Sequence, residues 1–172
     1  MEPADLGISA GLNEYGKESY VGRGTFNGQL APGKLMIDGA GVPYQPALYF
    51  EWDNFEHVLT EGVEYYAKEF HCNYTWVPSS NGQKVSNAVG FRSEPYTFYV
   101  GRTTTFSSTQ VGKVTLEHNT MYYAYGGKGY SVNNYEVLVC DEETKDQLRE
   151  TIRKLKEQLK ACEDSNATIT FQ

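Results

Sequence analysis

Hydrophobic and polar positions follow two different rules along this chain, and the change comes near residue 140. Before it, short aromatic and β-branched runs alternate with turn residues, the pattern of strands. The segments 97–100 and 111–116 are such runs, broken at Ser107-Ser108. A third run covers 121–125, the turn Gly126-Gly127-Lys128-Gly129 follows, and 135–139 closes the unit. An earlier stretch has the same order, with a longer loop over 38–46 before Ala47–Trp52. Residues 69–76 read as a further strand, in which Cys72 packs as a small hydrophobe. Strands at this spacing predict an all-β, sandwich- or barrel-like body.

After residue 140 the period becomes helical. Leu148, Ile152, Leu155, Leu159 and Cys162 are spaced 4, 3, 4 and 3, a heptad seam on an amphipathic helix over 141–164. Glu150 and Lys154 form an i,i+4 pair, and Asp141, Glu142 and Glu143 suit the helix N-terminus. Two heptads are marginal alone, so the seam packs on the chain's own body, on a second copy or on a partner. Residues 165–172 end the chain as a terminal strand or tail, with 167–171 alternating like a strand.

The body contains an internal repeat. At an offset of 79, seven of the fifteen positions 20–34 are identical, including Tyr20-Val21-Gly22-Arg23 on Tyr99-Val100-Gly101-Arg102 and Gly33-Lys34 on Gly112-Lys113. Gly11 falls on Gly90 and Asp38 on Glu117. The chain therefore divides into units at 1–66 and 67–140, followed by the tail.

Composition narrows the function. The 172 residues include 17 Gly and 14 Tyr and carry a net charge of -7, which argues against nucleic-acid binding. No apolar run is long enough to span a membrane, and no secretory leader is visible. Cys72, Cys140 and Cys162 form no CxxC pair, and with His57, His71 and His118 scattered no metal site is expected. An odd cysteine count without a leader fits a reducing cytoplasm, with secretion by a leaderless route as the alternative. Two glycosylation sequons begin at Asn73 and Asn166. No nucleophile elbow, P-loop or dinucleotide fingerprint is present, so catalysis and cofactors are not expected.

Trp76-Val77-Pro78, Asn87-Ala88-Val89-Gly90, Tyr99-Val100-Gly101-Arg102, Gly112-Lys113, Gly126-Gly127-Lys128 and Tyr135-Glu136-Val137-Leu138 together resemble a DM9 repeat. The first unit resembles it through Gly11, 20–23, Pro32-Gly33-Lys34 and Glu56-His57, without the opening tryptophan segment. The resemblance implies a pseudo-symmetric pair of antiparallel β repeats, here with a C-terminal helix, and places residues 168–171 as a candidate to fill the edge the first repeat lacks. It further implies a mannose-type lectin of pattern recognition and innate immunity, often a homodimer. In such relatives an acid after the early glycine pairs with the lysine of the Pro-Gly-Lys segment. The lysines here are Lys34 and Lys113, and the acid positions hold Asn13 and Arg92. Glu14 stands beside Asn13 as a substitute acceptor. Arg92 beside Lys113 suits an acidic or phosphorylated sugar, and Asp38 and Glu117 offer further carboxylates. Arg23 and Arg102 either support these sites or brace the two repeats. The other reading is an interaction module that dimerises or docks through its heptad helix.

Overall fold

The computed structural model describes residues 7–38, 45–68, 72–94, 96–142 and 145–169, with helix side chains at 147 and 149–160. Most of the long loop at 38–46, the start of the strand expected at 69–76, and the side chains of Leu148 and Cys162 lie outside the described residues. The protein is one curled antiparallel sheet of 13 strands with one helix. The first repeat supplies β1 (Ser9–Leu12), β2 (Glu18–Phe26), β3 (Gln29–Met36), β4 (Ala47–Trp52), β5 (Phe55–Leu59) and β6 (Val63–Tyr65). After β7 (Cys72–Ser80), the second supplies β8 (Gly90–Ser93), β9 (Tyr96–Thr105), β10 (Ser108–Thr115), β11 (Thr120–Tyr125), β12 (Lys128–Val132) and β13 (Asn134–Glu142). The strands bear out a mostly-β pair of repeats. The stretch 128–132, expected to be turn and loop, is instead β12, because Gly126-Gly127 alone makes the turn.

Both repeats are wound alike. One side of β2 pairs with β3, and its other side is shared by β1 and then β6. The same division holds for β9 with β10, β8 and β13. Arg23 lies opposite Glu64 and Arg102 opposite Glu136, so the two cross-strand pairs are equivalent. The sheet continues between repeats where Phe55 pairs with Lys128. Ile8, Ala10 and Val21 of the first repeat form one core with Val89, Val100, Val111 and Leu138 of the second. Burying these side chains stabilises each repeat only in the presence of the other.

Glycine pairs set the local geometry. Gly22 opposes Gly33, and Gly101 opposes Gly112. A Cβ at Gly33 would overlap the carbonyl oxygen of Tyr49, and one at Gly112 that of Tyr122. The bare backbone lets the next strand close in, which sets Lys34 opposite Tyr49 and Lys113 opposite Tyr122.

The tail departs from expectation. Asp141 and Glu142 complete β13 opposite β7, and the helix α1 covers Lys145–Ile169. The strand expected at 167–171 is thus helical through Ile169, with 170–172 outside the described residues, and 167–169 pair with no strand among the described residues. The polar, charge-paired helical sequence continues to that point and outweighs the short alternation. Arg153 bonds Glu150 and Glu157, and Lys154 lies 3.7 Å from Glu150 as the spacing predicts. Ile152, Leu155 and Leu159 stay exposed rather than docking on the body.

Cys72 is not a free packing group. It forms a disulfide with Cys140, tying β7 to β13. Gly112→Ala should lower unfolding free energy by about 3 kcal/mol through overpacking, measured in urea. Gly28→Ala, a turn position with open space, should cost only about 1 kcal/mol.

Candidate functional site

Two cavities flank the repeat interface, one at each predicted lysine. Lys34 projects from β3 into a cavity of about 710 Å³ lined by Asn13, Glu14, Tyr15, Asp38, Tyr49 and Glu56 of its own repeat and by Tyr125 and Gly126 of the other. Lys113 projects from β10 into one of about 280 Å³, lined by Thr115, Glu117, His118 and Tyr122 of its own repeat. Its far wall is Gln29 and Glu51-Trp52-Asp53-Asn54 from the first repeat. The hairpin turn after β4 or β11 thus completes the cavity of the opposite repeat.

The two lysines are held differently. Lys34 is buried, and its Nζ donates to Gln110 Oε1 at 2.8 Å. Gln110 is itself fully buried and donates to Ser108 Oγ at 2.6 Å, which fixes the amide. Loss of hydration on burial pushes the Lys34 ammonium below the ordinary lysine range, while the charges of Glu14 and Glu56 partly restore it. Lys113 meets an ion instead. Its Nζ lies 3.0 Å from the Glu51 carboxylate and donates to the Glu51 carbonyl at 3.0 Å. The same ammonium sits 4.3 Å from the Trp52 ring centre and 5.9 Å from that of Tyr122.

Lys34, Asn13, Glu14 and Asp38 come together as the sequence predicts, and Lys113 and Glu117 share the second cavity. Asn13 has a different job from the expected ligand acceptor. Its Oδ1 accepts the backbone N–H groups of Tyr15 and Lys17, both at 2.9 Å, so it shapes the turn that presents Glu14. Glu14 lines the Lys34 cavity and its charge acts on the ammonium. Arg92 is also corrected: it pairs with Glu94 at 2.6 Å on an exposed strand and does not line the Lys113 cavity. The carboxylates there are Glu51, Asp53 and Glu117, which removes the basis for an acidic sugar. Arg23 and Arg102 line neither cavity. Arg23 pairs with Glu64 at 2.8 Å. Arg102 pairs with Glu136 at 2.7 Å, lies 4.5 Å from the Trp76 ring centre and donates to the Ala10 carbonyl at 2.9 Å, bracing the repeats.

Glu51, Trp52, Gln110 and Tyr125 were missed from sequence. Lys113→Met should destabilise by about 3–5 kcal/mol, because buried Glu51 loses its counter-ion and keeps the Asn54 N–H as its hydrogen-bond donor. The double variant Lys113→Met/Glu51→Leu should recover most of that loss. Lys34→Met, which orphans only a neutral amide oxygen, should cost about 1–2 kcal/mol. Urea unfolding of the three variants compares them directly.

No curated protein matches the sequence. Among solved structures, the crystal structure of the nematode sperm cell motility protein MFP2B is similar at a TM-score of 0.62 and 16% identity. The likeness covers 81% of this chain and 41% of that one, so this chain spans well under half of that protein. The DM9 repeat matches residues 13–91 and again 92–151. With two tandem matches over most of its length, and a fold in which each repeat completes the other's cavity, the chain belongs to the DM9 repeat family.

Proposed function

We propose that this protein binds carbohydrate without chemical turnover, and that the Lys34 cavity is its principal site. One observation carries the reading: a buried ammonium held by the neutral amide of Gln110 faces a roomy cavity edged by carboxylates and tyrosines. The ammonium keeps N–H donors for sugar hydroxyl oxygens, and Glu14 accepts from sugar O–H groups. Tyr15 and Tyr125 present flat apolar walls to the C–H faces of a ring. Glu14, Asp38 and Glu56 outnumber Lys17 and Lys34 around the cavity, which favours a neutral, mannose-type sugar over an anionic one. Recognition of microbial glycans is the role this chemistry serves in the reading. The Cys72–Cys140 bridge and the exposed sequon at Asn73 favour an oxidising, extracellular setting over the cytoplasm. Among the described residues no helix is long and apolar enough to cross a membrane.

Retention on immobilised mannan should be lost in Lys34→Met, whose melting temperature falls by only about a few degrees, and a glycan array with no mannose-rich signal would reject the reading. Because burial lowers the Lys34 pKa, its charged form disappears earlier as pH rises. Affinity should therefore decline below the ordinary lysine value of about 10.4.

The exposed helix favours a second, compatible reading as an assembly module. Ile152, Leu155 and Leu159 are 47%, 58% and 61% exposed on one stripe. This stripe suits a second copy, joined as a homodimer through the helix. Light scattering should give twice the monomer mass for the full chain and the monomer mass for residues 1–144. Monomer mass for both removes the dimer.

A further inference from the structure

Four two-residue hairpin turns place both central residues in the left-handed region, where residues without a Cβ or with a short polar side chain are favoured. Three follow that rule: Asn27-Gly28, Asp53-Asn54 and Gly126-Gly127. The fourth is Phe106-Ser107, with φ of 52° and 57°. It occupies the place that Asn27-Gly28 holds in the first repeat, joining β9 to β10 as that turn joins β2 to β3. A phenylalanine there has no side-chain hydrogen bond to offset the strain, and its ring stays 47% exposed, so core burial does not account for it either.

What the ring does contact is specific. Phe106 stacks on Tyr125 with centroids 4.6 Å apart and planes 9° from parallel, and tilts against Tyr130 at 5.3 Å. Tyr125 lines the Lys34 cavity, its ring centre 5.8 Å from Lys34 Nζ. Phe106 itself lies outside that cavity. The strained turn thus lays a second, half-exposed ring over one face of Tyr125 next to the cavity.

We infer that Phe106 and Tyr125 form a second subsite, which stacks against the C–H face of a further pyranose ring in an oligosaccharide whose first ring sits at Lys34. The inference rests on the Lys34 reading and adds a preference for length. Calorimetry with mannose and with mannotetraose tests it on the wild-type protein, on Phe106→Trp, and on Phe106→Asn/Ser107→Gly, which installs the first repeat's turn. Wild type and Phe106→Trp should bind the tetrasaccharide roughly tenfold more tightly than mannose. The double variant should melt no lower than wild type, bind mannose equally, and lose that gain. A double variant that keeps the gain overturns the subsite. So does one that weakens both sugars equally, since Phe106 would then only prop Tyr125. A wild-type protein that binds mannose but shows no gain refutes the subsite alone; one that binds neither sugar refutes the Lys34 reading and the subsite with it.

Discussion

Each repeat's lysine ends on a residue of the other repeat, and the rest of the architecture follows from that exchange. A buried ammonium is tolerated only when hydrogen-bonded or paired. Lys34 finds Gln110 on β10, and Lys113 finds Glu51 on β4. The close partner of each lysine lies in the other repeat, so the repeat interface is also a wall of both cavities. The Gly22–Gly33 and Gly101–Gly112 pairs serve the same end, because they let the adjoining strand approach and set each lysine beside its tyrosine.

The exchange is symmetric in topology and asymmetric in chemistry. Gln110 matches Ala31 in the first repeat, and Glu51 matches Ala124 in the second, so each partner is present once. A neutral amide leaves Lys34 its charge for use in a cavity of about 710 Å³. A carboxylate, a carbonyl and the Trp52 face absorb the charge of Lys113 within about 280 Å³. The duplicated lysine therefore stands in two settings, beside a roomy cavity in one repeat and in an internal ion pair in the other.

Much of this was legible in the sequence where the information is local or duplicated. The offset that superposes Gly33-Lys34 on Gly112-Lys113 located both lysines, and short aromatic runs located most strands. Arg92 and Asn13 misled because a position's place in a repeat does not say where its side chain is spent: Arg92 lies next to Glu94, and Asn13 next to the N–H groups of its own turn. Glu51 and Gln110 are partners across the repeats, which no offset within a repeat can reveal. The signal that could have exposed them is the opposite of identity. They are charged or polar residues standing where the matching position is alanine. The terminal strand failed for a different reason, since alternation over five residues is weak against a helix already propagating through Arg153, Glu150 and Glu157.

Asymmetry between the cavities also bears on why the tail stands off the body. A chain with one open site holds a sugar by a few hydrogen bonds and a stacked ring, and the entropy of association consumes much of that interaction. Strength must then come from a longer ligand or from a second copy. Under the proposed function the body would serve the first route through Phe106, whose strained turn stacks a second ring on Tyr125. Under the proposed assembly reading the helix would serve the second, because an apolar stripe at Ile152, Leu155 and Leu159 that docked on its own sheet could not join two chains. Two linked chains facing a repetitive glycan make the second contact effectively intramolecular, and avidity rises without any new group at the site. Length of ligand and number of copies thus act on the same deficit, the modest affinity expected of a single open site.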